Sequence, residues 1–193
     1  MKGVYIFLAN GFEETEAIAT LDVLRRGGVE LKTVSIHADK FVVGSHGVPL
    51  VADMTYGEFK AQVDIEVADP EDVMIFPGGM PGTKKLAEKG EIIDFMKLHY
   101  AMGGTVAAIC AAPGLVVSQL PDLTGKKFTC FDGFEDGPIA RGAIYLKAPA
   151  VVDGNLITGR GAGCAIDFGL AILEALKGAE VAEKVRHGLM LAD

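Results

Sequence analysis

The chain alternates between short, continuously apolar runs and longer segments whose apolar residues recur every three to four positions. Val4–Leu8 is the first such run, and its apolar continuity is what a parallel strand covered on both faces requires. Asn10-Gly11-Phe12 then reads as a turn and Glu13–Arg26 as an amphipathic helix. Ala17, Leu21 and Leu24 follow i, i+4, i+7, acidic residues occupy the first turn, and Gly27-Gly28 ends it. Leu31–Ile36 predicts a second strand; Phe41–Val43 and Pro49–Val51 predict two short ones joined by a hairpin turn at Gly44–Gly47. Val73–Phe76 is another buried strand, stopped by Pro77-Gly78-Gly79. Helix Glu91–Met102, strand Thr105–Ile109 and a helix from Ala111 to Gln119 come next. The segment Phe128–Arg141 has no period and is rich in Asp, Glu, Gly and Phe, so it reads as a long surface loop or lid. Strands Ala150–Val152 and Leu156–Thr158 precede helices Cys164–Leu176 and Ala179–Leu189, each with one apolar face. Strand and helix alternate with no repeat and no linker. One doubly wound α/β domain over residues 1–193 is expected, its sheet mainly parallel with helices on both faces.

Composition narrows the partners. Half of the 193 residues are apolar and 23% are charged, as in ordinary globular chains. The 25 glycines cluster at the ends of apolar runs, where turns are needed. A net charge of −8, with basic residues only in isolated pairs, argues against a nucleic-acid or anionic-membrane surface. No apolar stretch reaches the roughly 18 residues of a membrane span, and the N-terminal run is too short for a signal peptide. Three widely spaced cysteines form neither a disulfide framework nor a zinc motif, so a reducing, cytoplasmic setting is the expectation.

Cys110 carries the strongest local chemistry. Thr105-Val106-Ala107-Ala108-Ile109 leads in as a strand; Ala111, Ala112 and Pro113 lead out as a helix start. This is the pattern of a nucleophile elbow, in which free helix N–H groups and the helix dipole favour a thiolate. A plain buried cysteine fits the same residues. Glu16 shares a helix face with Thr20 and Val23, which would turn it inward, where burial favours the neutral carboxyl. Helix-dipole surface charge is the competing reading, and the one preferred for Glu13 and Glu14. Pro77-Gly78-Gly79 reads as a tight turn able to aim N–H groups at an oxyanion. Gly159-Arg160-Gly161-Ala162-Gly163-Cys164 lacks the third glycine and the downstream acid of a dinucleotide loop. His37, His46, His99 and His187 lie at no metal-ligand spacing, and His99 and His187 read as surface residues on helices. No metal and no cofactor are expected.

With Glu16, Pro77-Gly78-Gly79 and Ala107-Ala108-Ile109-Cys110-Ala111-Ala112-Pro113 in view, the chain resembles the ThiJ/PfpI superfamily. It is most similar to the branch of the parkinsonism-associated protein deglycase and its bacterial relatives. Gly11-Phe12-Glu13-Glu14-Thr15-Glu16, Asp22-Val23-Leu24-Arg25-Arg26-Gly27 and Thr158-Gly159-Arg160-Gly161-Ala162-Gly163 extend the likeness over nearly the whole chain. The resemblance implies a flavodoxin-like fold, a homodimer and no cofactor. It makes Cys110 the nucleophile and redox-sensitive thiol, Glu16 its protonated partner, and the N–H groups of Gly79 and Ala111 the oxyanion pocket. It also implies glyoxalase III-type conversion of methylglyoxal-like α-oxoaldehydes, deglycation of their adducts, and chaperone behaviour under stress. Older family labels include protease I and thiazole monophosphate biosynthesis.

Two departures from the family pattern bear on this expectation. Phe131 stands where many members place a histidine that relays protons to the cysteine. His46 stands where the branch commonly has an arginine near the partner's site, which would make His46 and Arg26 an anion site at a dimer boundary. The resemblance also places Cys130 near Cys110, as a resolving thiol for an oxidation disulfide. Without the loop histidine, a non-enzymatic redox sensor or chaperone-like dimer competes with the enzyme reading; a peptidase is more remote.

Overall fold

The computed structural model describes residues 1–64 and 67–191. Strand β1 (Val4–Leu8) leads into helix α1 (Glu14–Arg26) and strand β2 (Leu31–Ser35). A hairpin of β3 (Phe41–Val43) and β4 (Pro49–Val51) follows, then β5 (Met54–Thr55) and α2 (Tyr56–Gln62). After β6 (Val73–Phe76) come α3 (Gly82–Glu88), α4 (Gly90–Ala101) and β7 (Thr105–Ile109). The remainder runs through α5 (Ala112–Leu115), β8 (Lys127–Phe128), α6 (Asp136–Ile139), β9 (Ile144–Tyr145) and the hairpin β10 (Ala150–Asp153) and β11 (Leu156–Gly159). It closes with α7 (Ala165–Lys177) and α8 (Ala179–Gly188).

Seven strands form one sheet in the order β10-β11-β7-β6-β1-β2-β5, parallel except for edge strand β10. The continuously apolar strands still alternate between two layers. Val4, Ile6 and Leu8 pack with α1, α7 and α8, whereas Phe7, Met74, Phe76, Val106 and Ala108 pack with α2 to α5. The central strands β1, β6 and β7 are therefore covered on both faces, which is why they are almost wholly apolar. The chain adds β2 and β5 on one side of β1, and β6, β7 and β11 on the other. A crevice at such a reversal, at the carboxyl ends of the strands, is where open α/β sheets place their sites.

Three sequence expectations change. Residues 128–141 are only in part a surface loop: Phe128, Thr129 and Cys130 are fully buried, whereas most of residues 131–141 lie at the surface, with the short α6 among them. The Thr129 N–H donates to Thr158 Oγ1 at 2.9 Å, so the segment is pinned to β11. His99 is 1% exposed rather than a surface residue. Its Nε2 lies 3.1 Å from both the Asp72 and Thr105 carbonyls, which ties α4 to the starts of β6 and β7. The helix after Cys110 is one short α-turn followed by a 3-10 turn at Val117–Gln119, instead of a continuous span to Gln119. Among the described residues, no helix is long and apolar enough to cross a membrane.

Candidate active site

Three loops meet at the carboxyl edge of the sheet, after β1, β6 and β7. Cys110 follows the last residue of β7 and holds φ at 64°, a left-handed conformation rare outside glycine and costing on the order of 1–3 kcal/mol. Hydrogen bonds on both sides hold it there: its N–H donates to the Gly159 carbonyl (3.0 Å), and its carbonyl accepts from the Phe131 N–H (2.9 Å). The turn sends the side chain towards Gly78. A Cβ on Gly78 would sit 2.5 Å from Cys110 Cβ, 2.9 Å from its sulfur and 2.5 Å from Glu16 Oε2. Only glycine lets the β6 loop pass this close.

Glu16 lies in the first turn of α1 and is 1% exposed. Glu13 caps the helix, its carboxylate accepting from the Glu16 N–H at 2.7 Å, and so sets the rotation that turns Glu16 inward with Ala17, Thr20 and Val23. Glu16 Oε2 accepts from the Gly78 N–H at 2.7 Å; Oε1 is buried without a hydrogen-bond partner. Burial pushes the carboxyl up to about 7, against the opposing effects of the Cys110 thiol and the Gly78 N–H. Near neutral pH the group is thus divided between its acid and base forms, as acid–base chemistry requires.

Cys110 is half-buried, and burial pushes its thiol up to about 12, with the Glu16 carboxylate's charge and hydrogen bond acting in the same direction. The N–H groups of Ala111 and Gly79 oppose this. The sequence led to the expectation of a helix-stabilised thiolate. Burial and the neighbouring Glu16 carboxylate act against that thiolate, whereas the Ala111 and Gly79 N–H groups act for it. Gly79 and Ala111 nevertheless present their N–H groups to the sulfur, from the loop after β6 and the residue after the elbow.

The other sequence candidates fall elsewhere. His46 is on the exposed turn of the β3–β4 hairpin, its Nδ1 2.9 Å from Glu14 Oε2, and that hydrogen bond raises its pKa. Arg26 pairs with Asp22 at 2.6 Å. Glu14 and Arg26 are the two ends of α1, about 18 Å apart at the α-helical rise, so within one chain His46 and Arg26 form no shared site. Cys130 is 0% exposed and packs with the α2–α5 layer, whereas Cys110 packs against the α1–α7–α8 layer. All three cysteines are free thiols, and the Phe131 N–H bond to the Cys110 carbonyl (2.9 Å) brings the main chain at Cys130 beside the elbow. Phe131 is half-exposed and offers no proton relay.

Two features were missed in the sequence. One is the close approach of Gly78 to Cys110 and Glu16, since the Pro-Gly-Gly segment reads only as a turn able to aim N–H groups. The other is Glu14, whose carboxylate accepts from the His46 N–H (2.7 Å), the Val48 N–H (3.4 Å) and Ser45 Oγ (3.2 Å). Partial burial raises its pKa, but the hydrogen bonds from His46 and Val48 outweigh it and hold the carboxyl at about 2. Ligand atoms of Glu13, Glu14 and His46 lie within 4.8 Å of one another, the one described grouping able to hold a metal ion, although imidazole and carboxylate already satisfy each other there. Their positions, 13, 14 and 46, carry no recognisable spacing.

Residues 2–175 match the DJ-1/PfpI family. Protein dj-1beta of Drosophila melanogaster is 34% identical over 99% of this chain and 98% of its own length. The glutathione-independent glyoxalase DJR-1.2 of Caenorhabditis elegans is 32% identical over 93% of this chain and 91% of its own. The solved structure of oxidized Toxoplasma gondii DJ-1 superposes with a TM-score of 0.87 at 29% identity, covering 98% of both chains. The elbow, its glutamate and the glycine turn between them therefore sit in a chain that belongs to the DJ-1/PfpI family.

Proposed function

We propose that this protein is a cofactor-independent, cysteine-dependent enzyme acting on methylglyoxal-like α-oxoaldehydes or their adducts. The observation that carries it is the buried Glu16 carboxyl, poised at about 7 against the thiol of a strained elbow. The naming of the Caenorhabditis relative as a glyoxalase supports the same chemistry.

Glu16 carboxylate takes the Cys110 proton, and the sulfur attacks the aldehyde carbon. The carbonyl oxygen receives that proton from Glu16 while the Gly79 and Ala111 N–H groups steady the developing charge, giving a neutral hemithioacetal. Glu16 then removes the hydrogen on the same carbon and delivers it to the ketone oxygen, giving an enediol. It next takes the proton of the first hydroxyl and delivers it to the neighbouring carbon, leaving a 2-hydroxy thioester. The aldehyde carbon is thereby oxidised and the ketone carbon reduced, so no external electron carrier is consumed. Water cleaves the resulting thioester to a 2-hydroxy acid and the free thiol. Methylglyoxal consumption and lactate formation by wild type, Cys110→Ser and Glu16→Gln test this. Loss of at least 100-fold in both variants is expected, and turnover that survives Cys110→Ser would sink the proposal.

A second function rests on the same site. A buried carboxyl able to donate a hydrogen bond suits a cysteine sulfinate, and the Toxoplasma relative exists in an oxidized form. As a redox sensor or chaperone-like homodimer, the protein would gain two oxygens on Cys110 with peroxide and turn over no aldehyde; intact mass spectrometry separates the two functions.

A further inference from the structure

Beside the Cys110 elbow lies a cavity of about 370 Å³ whose walls include Phe131, Arg160, Gly161 and Cys164. Its position follows from the main chain: Phe131 donates to the Cys110 carbonyl, and Cys110 donates to the carbonyl of Gly159, two residues before Gly161. The Phe131 ring makes a single ring contact, an edge approach to Phe134 at 6.4 Å and 68°, and is 51% exposed. An aromatic face held open to water next to a cavity gains by being covered with another flat apolar group. Gly161 keeps that space free, since a Cβ there would lie 3.4 Å from the ring, and Gly163 faces open space. The cavity does not favour anions. The guanidinium of Arg160 already donates to both Asp132 oxygens, at 3.0 and 3.2 Å. A small oxoaldehyde such as methylglyoxal would leave most of this volume empty.

We propose that Phe131 is a specificity determinant which steers Cys110 towards electrophiles bearing a neutral aromatic or bulky apolar substituent, arylglyoxals rather than methylglyoxal among the α-oxoaldehydes. This rests on Cys110 being the reactive thiol.

Two matched pairs of reagents test it. The first is iodoacetanilide against iodoacetamide, in which the Cys110 sulfur displaces iodide, the C–S bond forms as C–I breaks, and the thiol proton passes to solvent. Rates are read at the Cys110 peptide by mass spectrometry and normalised to a small thiol. Wild type should favour the anilide by roughly two- to ten-fold. Phe131→Ala should remove the preference, while Phe131→Tyr, which keeps the ring, should retain it. Equal normalised rates in wild type, or a preference unchanged in Phe131→Ala, would overturn the proposal. The second pair, phenylglyoxal against methylglyoxal turnover, should show the same ranking. If neither aldehyde turns over while the labelling preference persists and depends on Phe131, the catalytic proposal fails and the steering role stands.

Discussion

At the scale of single residues, the site is a contest between burial and hydrogen bonding for one proton. Glu16 rises from its ordinary 4.5 to about 7 because burial penalises its charge. A carboxyl whose folded pKa is raised contributes its full share of stability below the unfolded value and loses it as pH climbs through the folded one. Between pH 4.5 and 7 the folded state should therefore weaken, by roughly 3 kcal/mol in all at 1.36 kcal/mol per unit. Glu16→Gln keeps the shape and the acceptor for the Gly78 N–H but cannot ionise. Chemical denaturation of both proteins at pH 5 and pH 8 should show the variant gaining relative to wild type only at the higher pH. A difference that does not change with pH would remove the shifted Glu16 from the account. The partner group makes a second prediction. Because burial drives the Cys110 thiol towards about 12, iodoacetamide should modify it more slowly at pH 8 than a small thiol, with a rate still climbing at pH 10. A plateau below pH 8 would mean a thiolate at rest.

At the scale of elements, what matters is how closely the loops approach. Gly78→Ala places a methyl where Cys110 and Glu16 already stand, so the β6 loop must retreat from the elbow. A stability loss of roughly 1–3 kcal/mol is expected, together with loss of aldehyde turnover; an active, fully stable variant would show that the approach is looser than described. The loop's importance was hidden in the sequence for a physical reason. A Pro-Gly-Gly turn looks the same whether its glycine is needed for a bend or for contact with a residue over sixty positions earlier. Local pattern was informative where the cause is local. Val4–Leu8, Val73–Phe76 and Thr105–Ile109 are strands because both faces are covered, and α1 begins where Glu13 can cap it. It failed where tertiary contacts override it. His99 reads as a polar helix position until its ring is seen between the Asp72 and Thr105 carbonyls, and residues 128–130 read as loop until β11 buries them. Pairing by family likeness brought Cys110 and Glu16 together; helical periodicity left Glu16 between core and surface.

At the scale of the whole molecule, the β3–β4 hairpin connects the site to the outside. It lies off the main sheet as its own two-stranded unit, and such hairpins are marginal in water. Val42 is buried towards α1, while the cross-strand pair Phe41 and Val51 remains mostly exposed, with Val48 beside the turn. The hairpin is held by the loop that carries the acid residues: Gly11 and Asn10 bind Val43, Phe12 binds Ser45, and Glu14 collects the turn. A second copy of the chain covering Phe41 and Val51 would satisfy the apolar surface that one copy leaves open, and this is the place we propose for the homodimer. Val51→Asp buries an unpaired carboxylate in such an interface and leaves a monomer unaffected, since the position faces water. Sedimentation of wild type at micromolar concentration should give twice the chain mass, and the variant a single chain of unchanged stability per copy. A wild type that sediments as one chain, or a variant that stays dimeric, would place the interface elsewhere.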